Sequence, residues 1–153
     1  MKINHLTLTV AVAVALCLGL FTATAADKDD HKHLATPQGG RLLEKTEPHA
    51  EVVVEKDRSV TINFYDEKMK PVPATTQNVT LTADSKSGKA KLEFEKKEDT
   101  LVSKTKLPDG DGYNIVVQFK QTAEAKPQNF RFKLDLATCR ECKRAEYGCI
   151  CEH

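Results

Sequence analysis

The chain has no tryptophan, two methionines, and aromatics at only 6% of its 153 residues. Any core it builds must be aliphatic and modest in size. Charge of one sign is also missing: 23 basic residues face 22 acidic ones. That balance excludes the basic excess with which proteins hold nucleic acid or anionic membranes. No Gly-x-Ser-x-Gly, His-Glu-x-x-His or paired-carboxylate arrangement occurs, and Gly88-Lys89 lacks the upstream glycine of a phosphate loop. The expectation is a binding protein and not an enzyme. Apolar residues nowhere repeat at a 3.6 period, so helices are not expected.

One long apolar run is present, Leu6 to Phe21, preceded by Lys2 and followed by Ala23-Thr24-Ala25. A positive start, an apolar stretch and a small-x-small site are the layout of a secretory signal peptide cleaved after Ala25. The run is short for a bilayer crossing, which takes about 20 residues, so no membrane span is expected after cleavage. Cys17 leaves with the signal, and Lys2 is the only charge lost. The mature protein is then expected in the periplasm or outside the cell, where disulfides persist. Residues 26–38 are polar, with His31 and His33 beside Asp27, Asp29 and Asp30, and read as a flexible arm.

From Gly39 onward the pattern has period two. Ala50, Val52 and Val54 share one face; so do Val60, Ile62 and Phe64, then Val79, Leu81 and Ala83. Ala90, Leu92 and Phe94 alternate with Lys91, Glu93 and Glu95. Ile115, Val117 and Phe119 form another inward set, and Phe130, Phe132, Leu134 and Leu136 the last. With shorter candidates at 41–45 and 100–106, the spacing predicts seven or eight short strands. Pro71 and Pro73 mark residues 66–77 as a loop or edge crossing. Asp109-Gly-Asp111-Gly112 lacks the remaining ligands of a calcium loop and reads as a turn. The expected fold is all-β, an antiparallel immunoglobulin-like sandwich over residues 39–137, followed by a cysteine-rich tail at 138–153.

Gly39-Gly-Arg-Leu-Leu, Glu47-Pro-His-Ala-Glu-Val-Val-Val, Val60-Thr-Ile-Asn-Phe-Tyr-Asp and Lys70-Pro-Val-Pro together resemble a group of small secreted bacterial β-sandwich proteins. Members of that group carry His-Gly-Gly and a His-x-Glu in the second strand; here Gln38 stands in the place of the first histidine. The resemblance covers roughly residues 37–136. It implies the sandwich fold and an association with heavy-metal resistance and efflux.

The tail reads C-x2-C-x6-C-x-C, from Cys139 and Cys142 to Cys149 and Cys151, and ends on His153. Cys139 and Cys142 have the spacing that lets two thiolates reach one ion, and Cys149 and Cys151 can supply two more. Four thiolates suit zinc or Cu(I), and Arg140, Lys143 and Arg144 offset their charge. His153 is a further candidate ligand. His49 is another, with Glu51 on the same strand face. The competing expectation is two disulfides stapling the tail. The two functional readings are a periplasmic metal-binding accessory protein and a sandwich that binds an envelope protein by its strand edges.

Overall fold

In the computed structural model, residues 34–151 are described. They belong to one compact unit and form nine strands and one short 3-10 turn. The proposed signal peptide, most of the proposed arm and His153 lie outside the described residues. No described helix is long and apolar enough to cross a membrane.

The strands are β1 (Arg41–Leu43), β2 (His49–Val54), β3 (Val60–Tyr65), β4 (Pro71–Val72), β5 (Asn78–Ser85), β6 (Gly88–Lys97), β7 (Thr100–Ser103), β8 (Tyr113–Lys120) and β9 (Gln128–Leu134). All pairings are antiparallel, in the order β1-β2-β3-β7-β6-β5-β8-β9, with β4 paired to β3. Eight of the nine coincide with expected strands. The ninth, β4, falls in the proline-containing segment read as a loop or edge crossing and makes only two pairings with β3.

The layout differs from the expected pair of separate layers. β6 pairs with β5 through residues 88–93 and with β7 through residues 94–97. The one strand therefore turns the corner between the two halves, and the sheet is continuous and barrel-like. It does not close. No ladder joins β1 to β9, although the two flank a common cleft of about 280 Å³ and the Arg41 guanidinium sits 5.9 Å from the centre of the Phe132 ring.

The inward residues follow the alternation. Ile62, Phe64, Leu81, Leu92, Val117 and Leu134 are all buried, and Phe64 meets Phe119 at 6.5 Å between ring centres. Burying each such side chain stabilises the fold by roughly 1.5–3 kcal/mol. β9 departs from expectation. Phe130 and Phe132 are only half-buried against the core, because they border the open seam and no ladder covers them on that side; Leu136, expected in the same strand, falls past its end and is half-buried too.

A glycine-dense loop carries the chain into β1. Thr36 is buried and its hydroxyl donates to the Gly40 carbonyl (2.8 Å). Thr36, within the segment read as an arm, is therefore packed into the fold. A Cβ on Gly40 would lie 2.2 Å from the Val52 carbonyl oxygen, so only glycine lets this loop press onto β2. On the far side Arg58 joins the Leu107–Tyr113 loop to the barrel. It donates to the Pro108 and Gly110 carbonyls and to the Tyr113 hydroxyl. Asp111, in the Asp109-Gly-Asp-Gly112 turn, accepts from the backbone of Gly112 (2.7 Å) and Leu136 (2.8 Å).

Candidate metal centre

The cysteine segment leaves β9 and folds back on itself. A bridge pairs Thr138 with Ala145, and within it Cys139 N–H donates to the Arg144 carbonyl (2.8 Å). Lys143 N–H returns to the Cys139 carbonyl (3.1 Å). Lys143 has φ of 62°, the left-handed conformation needed to reverse the chain immediately after Cys142. This tight reversal aims backbone N–H groups at the Cys142 sulfur. Arg144 N–H contributes most and Ile150 N–H adds to it, and they lower the thiol from its usual value to about 6. The 3-10 turn Glu146–Gly148 then delivers Cys149, whose Sγ accepts from Cys151 N–H (3.3 Å).

The result gathers all four sulfurs. They lie within 4.8 Å of one another. Cys149 is 3.3 Å from Cys139 and 3.6 Å from Cys142, and Cys139 is 3.9 Å from Cys151. Cys139 and Cys149 are buried, while Cys142 and Cys151 are half-buried. No pair stands at the about 2.05 Å of a disulfide. A tetrahedral ion with bonds of about 2.3 Å to sulfur places its ligands about 3.8 Å apart, and the observed separations bracket that edge. Burial pushes the Cys149 and Cys151 thiols above their ordinary range. A cation bound there would have to displace the protons of those two thiols.

The centre is also tied to the barrel. Tyr147 is buried, and its hydroxyl accepts from Val54 N–H (2.9 Å), a strand group that lies beyond the reach of β1. Burial raises its pKa, so the phenol stays neutral. Tyr147 N–H donates to the Asp135 carbonyl (3.2 Å) and Glu146 N–H to the Ala137 carbonyl (2.8 Å). A Cβ on Gly148 would fall 2.2 Å from the Gly39 carbonyl oxygen, so Gly148 lies main chain on main chain against the Gly39-Gly40 loop.

Of the other proposed ligands, His153 lies outside the described residues and His49 is placed elsewhere. His49 opens β2 at the end opposite Val54, about 16 Å away at about 3.3 Å per residue. It borders a separate cavity with Lys45, Thr46 and Phe119 and is not brought together with the cysteines. Glu51, expected beside His49 on an outward face, is fully buried. It accepts from Gly40 N–H (2.7 Å), Gln38 N–H (3.4 Å) and the Tyr65 hydroxyl (2.7 Å). Its role is to hold the glycine loop. Tyr147 and Gly148 escaped the sequence reading, because a tyrosine and a glycine between cysteines carry no periodic signal.

No family model matches this chain, and no characterised protein or solved structure is significantly similar to it.

Proposed function

We propose that this protein is an exported transition-metal-binding accessory protein, a chaperone, buffer or efflux accessory, that acts by binding and not by catalysis. Its ion sits among Cys139, Cys142, Cys149 and Cys151. The observation that carries this reading is the four-sulfur cluster, with Cys149–Cys139, Cys149–Cys142 and Cys139–Cys151 separations of 3.3–3.9 Å around the tetrahedral edge. A disulfide is exclusive, whereas Cys149 stands close to two sulfurs at once. Shared closeness suits one ion held by four ligands. Thiolates select soft or borderline ions, Zn(II) or Cu(I). Two buried sulfurs anchor such an ion, and the two half-buried ones leave a side from which it can be exchanged. The resemblance of residues 37–136 to secreted proteins associated with metal resistance, and the expected signal peptide, agree with this placing in the envelope.

A second reading keeps the tail as a staple of two disulfides. It is favoured by the 3.3 Å Cys139–Cys149 approach, shorter than a tetrahedral edge, and by an oxidising compartment. Two measurements separate the readings. Reduced protein titrated with Zn(II) or Cu(I) should saturate at one equivalent. Protein isolated from the exporting compartment should show the fully reduced mass after denaturation. A mass about 4 Da lower, two hydrogens for each of two bonds, together with no metal uptake after reduction, would sink the metal reading.

A further inference from the structure

The tail lies across one end of the open seam. β1 and β9 are the two ends of the sheet and no ladder joins them. Just where the seam reaches Arg41 and Leu134, the segment after β9 crosses it. Tyr147 and Glu146 are hydrogen-bonded to the chain following β9, at Asp135 and Ala137. Gly148 rests on Gly39-Gly40, the entry to β1. Tyr147 also takes the Val54 N–H of β2. The segment therefore touches both sides of the gap and stands where a longer β1 would have run.

Tyr147 is its buried anchor in the core, with Leu136 and Ala145 packed beside it; its side-chain hydrogen bond to β2 is the Val54 contact, and it is seated main chain on main chain, with Val52, Gly40 and Gly148 in layers. Cys149 follows Gly148 at once, and Cys139 lies four residues beyond Asp135. An ion bound by both cysteines joins the β9 side of the crossing to the β1 side.

We infer that the thiolate centre is the buckle of a clasp across the β1–β9 seam, and that Glu51, Tyr147 and Gly148 are positioning residues for the metal. This rests on the four-thiolate reading above. Glu51 reaches the centre without touching it: the carboxylate fixes Gly40, Gly40 seats Gly148, and Gly148 sets Cys149. Coupling between two sites is reciprocal. If the ion tightens the clasp, then whatever loosens the clasp weakens the ion by the same factor.

The test uses reduced mature protein, with Zn(II) bound or removed by a chelator. Zinc stoichiometry and affinity are measured first, then amide hydrogen exchange. Zinc removal should speed exchange about tenfold or more at Val54 and in Arg41–Leu43, none of which is a ligand or a neighbour of one in sequence. Leu81 and Val117, in the middle of the β5–β8 ladder, should exchange as before. Glu51→Gln and Tyr147→Phe should each still bind one zinc, about three- to tenfold more weakly. Tyr147→Phe deletes a single oxygen and keeps the ring, so it stays informative if Glu51→Gln fails to fold. One tight zinc with unchanged Val54 and β1 exchange, and variants that bind as the wild type does, would overturn the clasp and leave the metal centre standing. Absence of zinc uptake by the reduced wild type would overturn both.

Discussion

The barrel interior and the segment from Asp135 to Cys151 meet at Tyr147 but are held by different forces. The interior is held by numbers. Alternate residues of six long strands bury aliphatic and aromatic side chains against one another, and each lost contact leaves many others. The clasp is held by identities: one tyrosine, one glycine that no side chain can replace, and four sulfurs around a point. A region of the first kind tolerates change in proportion to volume. A region of the second kind fails as a unit. An ion bound as proposed among the four sulfurs would give that segment cohesion that its few apolar side chains do not.

The contrast can be broken first at its strongest point. Phe64→Ala removes a fully buried ring and should cost about 3–5 kcal/mol in denaturant unfolding. The loss should be the same with or without metal, and a loss that depends on metal would show that the two regions are not separate. Next in size is the metal itself. Chelation, or Cys149→Ser, should lower stability by about 3 kcal/mol when free zinc stands at about a hundred times the dissociation constant. The far-ultraviolet circular dichroism of the barrel should persist. Complete unfolding on chelation would make the centre part of the core.

Acidity should act on the cysteine centre through its thiols, and they set the sign. Cys142, at about 6, is already a thiolate at neutral pH and takes up a proton as pH falls through that value. Cys149 and Cys151 are shifted upward and release protons on binding. Zinc affinity should therefore fall with falling pH, about tenfold per pH unit for each proton released. A competition titration between pH 8 and pH 5.5 reads this directly, and a flat profile would be incompatible with thiolate ligands. The smallest expected effect is at the boundary. Phe132→Ala, on the half-buried seam side of β9, should cost about 1–2 kcal/mol, below the usual price of a core phenylalanine. A core-sized loss would mean that β1 and β9 close more tightly than their missing ladder implies.

Much of the barrel was legible in the chain. Runs such as Val60, Ile62, Phe64 and Ile115, Val117, Phe119 state which side is inward, since a strand has no other way to place alternate residues. What they do not state is which strands are neighbours. The same alternation serves a two-layer sandwich and a barrel-like sheet. The corner in β6, where pairing passes from β5 to β7 between Glu93 and Phe94, has no mark in the sequence. The cysteine spacing likewise made a common site foreseeable, since two close pairs need only one reversal between them. Glu51 ran the other way. A carboxylate beside a histidine on one strand face looks like a ligand pair. Its burial under Gln38–Gly40 depends on backbone N–H groups, which every residue but proline carries and which no sequence pattern singles out.

The ladders of this sheet also set an order in time. β1, β2 and β3 follow one another closely, as do β5, β6 and β7, and β8 with β9, so each group is a hairpin or meander that short loops can close. Only β3 with β7 and β5 with β8 join distant stretches of chain. β5 and β8 share seven paired positions, whereas β3 and β7 share two, Thr61 with Val102 and Ile62 with Leu101. Distant closures are slow, and those with few rungs gain least for the chain entropy they cost. Of the two distant closures, β3–β7 should therefore be the slower to form and the less costly to lose, so the barrel's two halves are expected to be coupled mainly through β6, the strand they share.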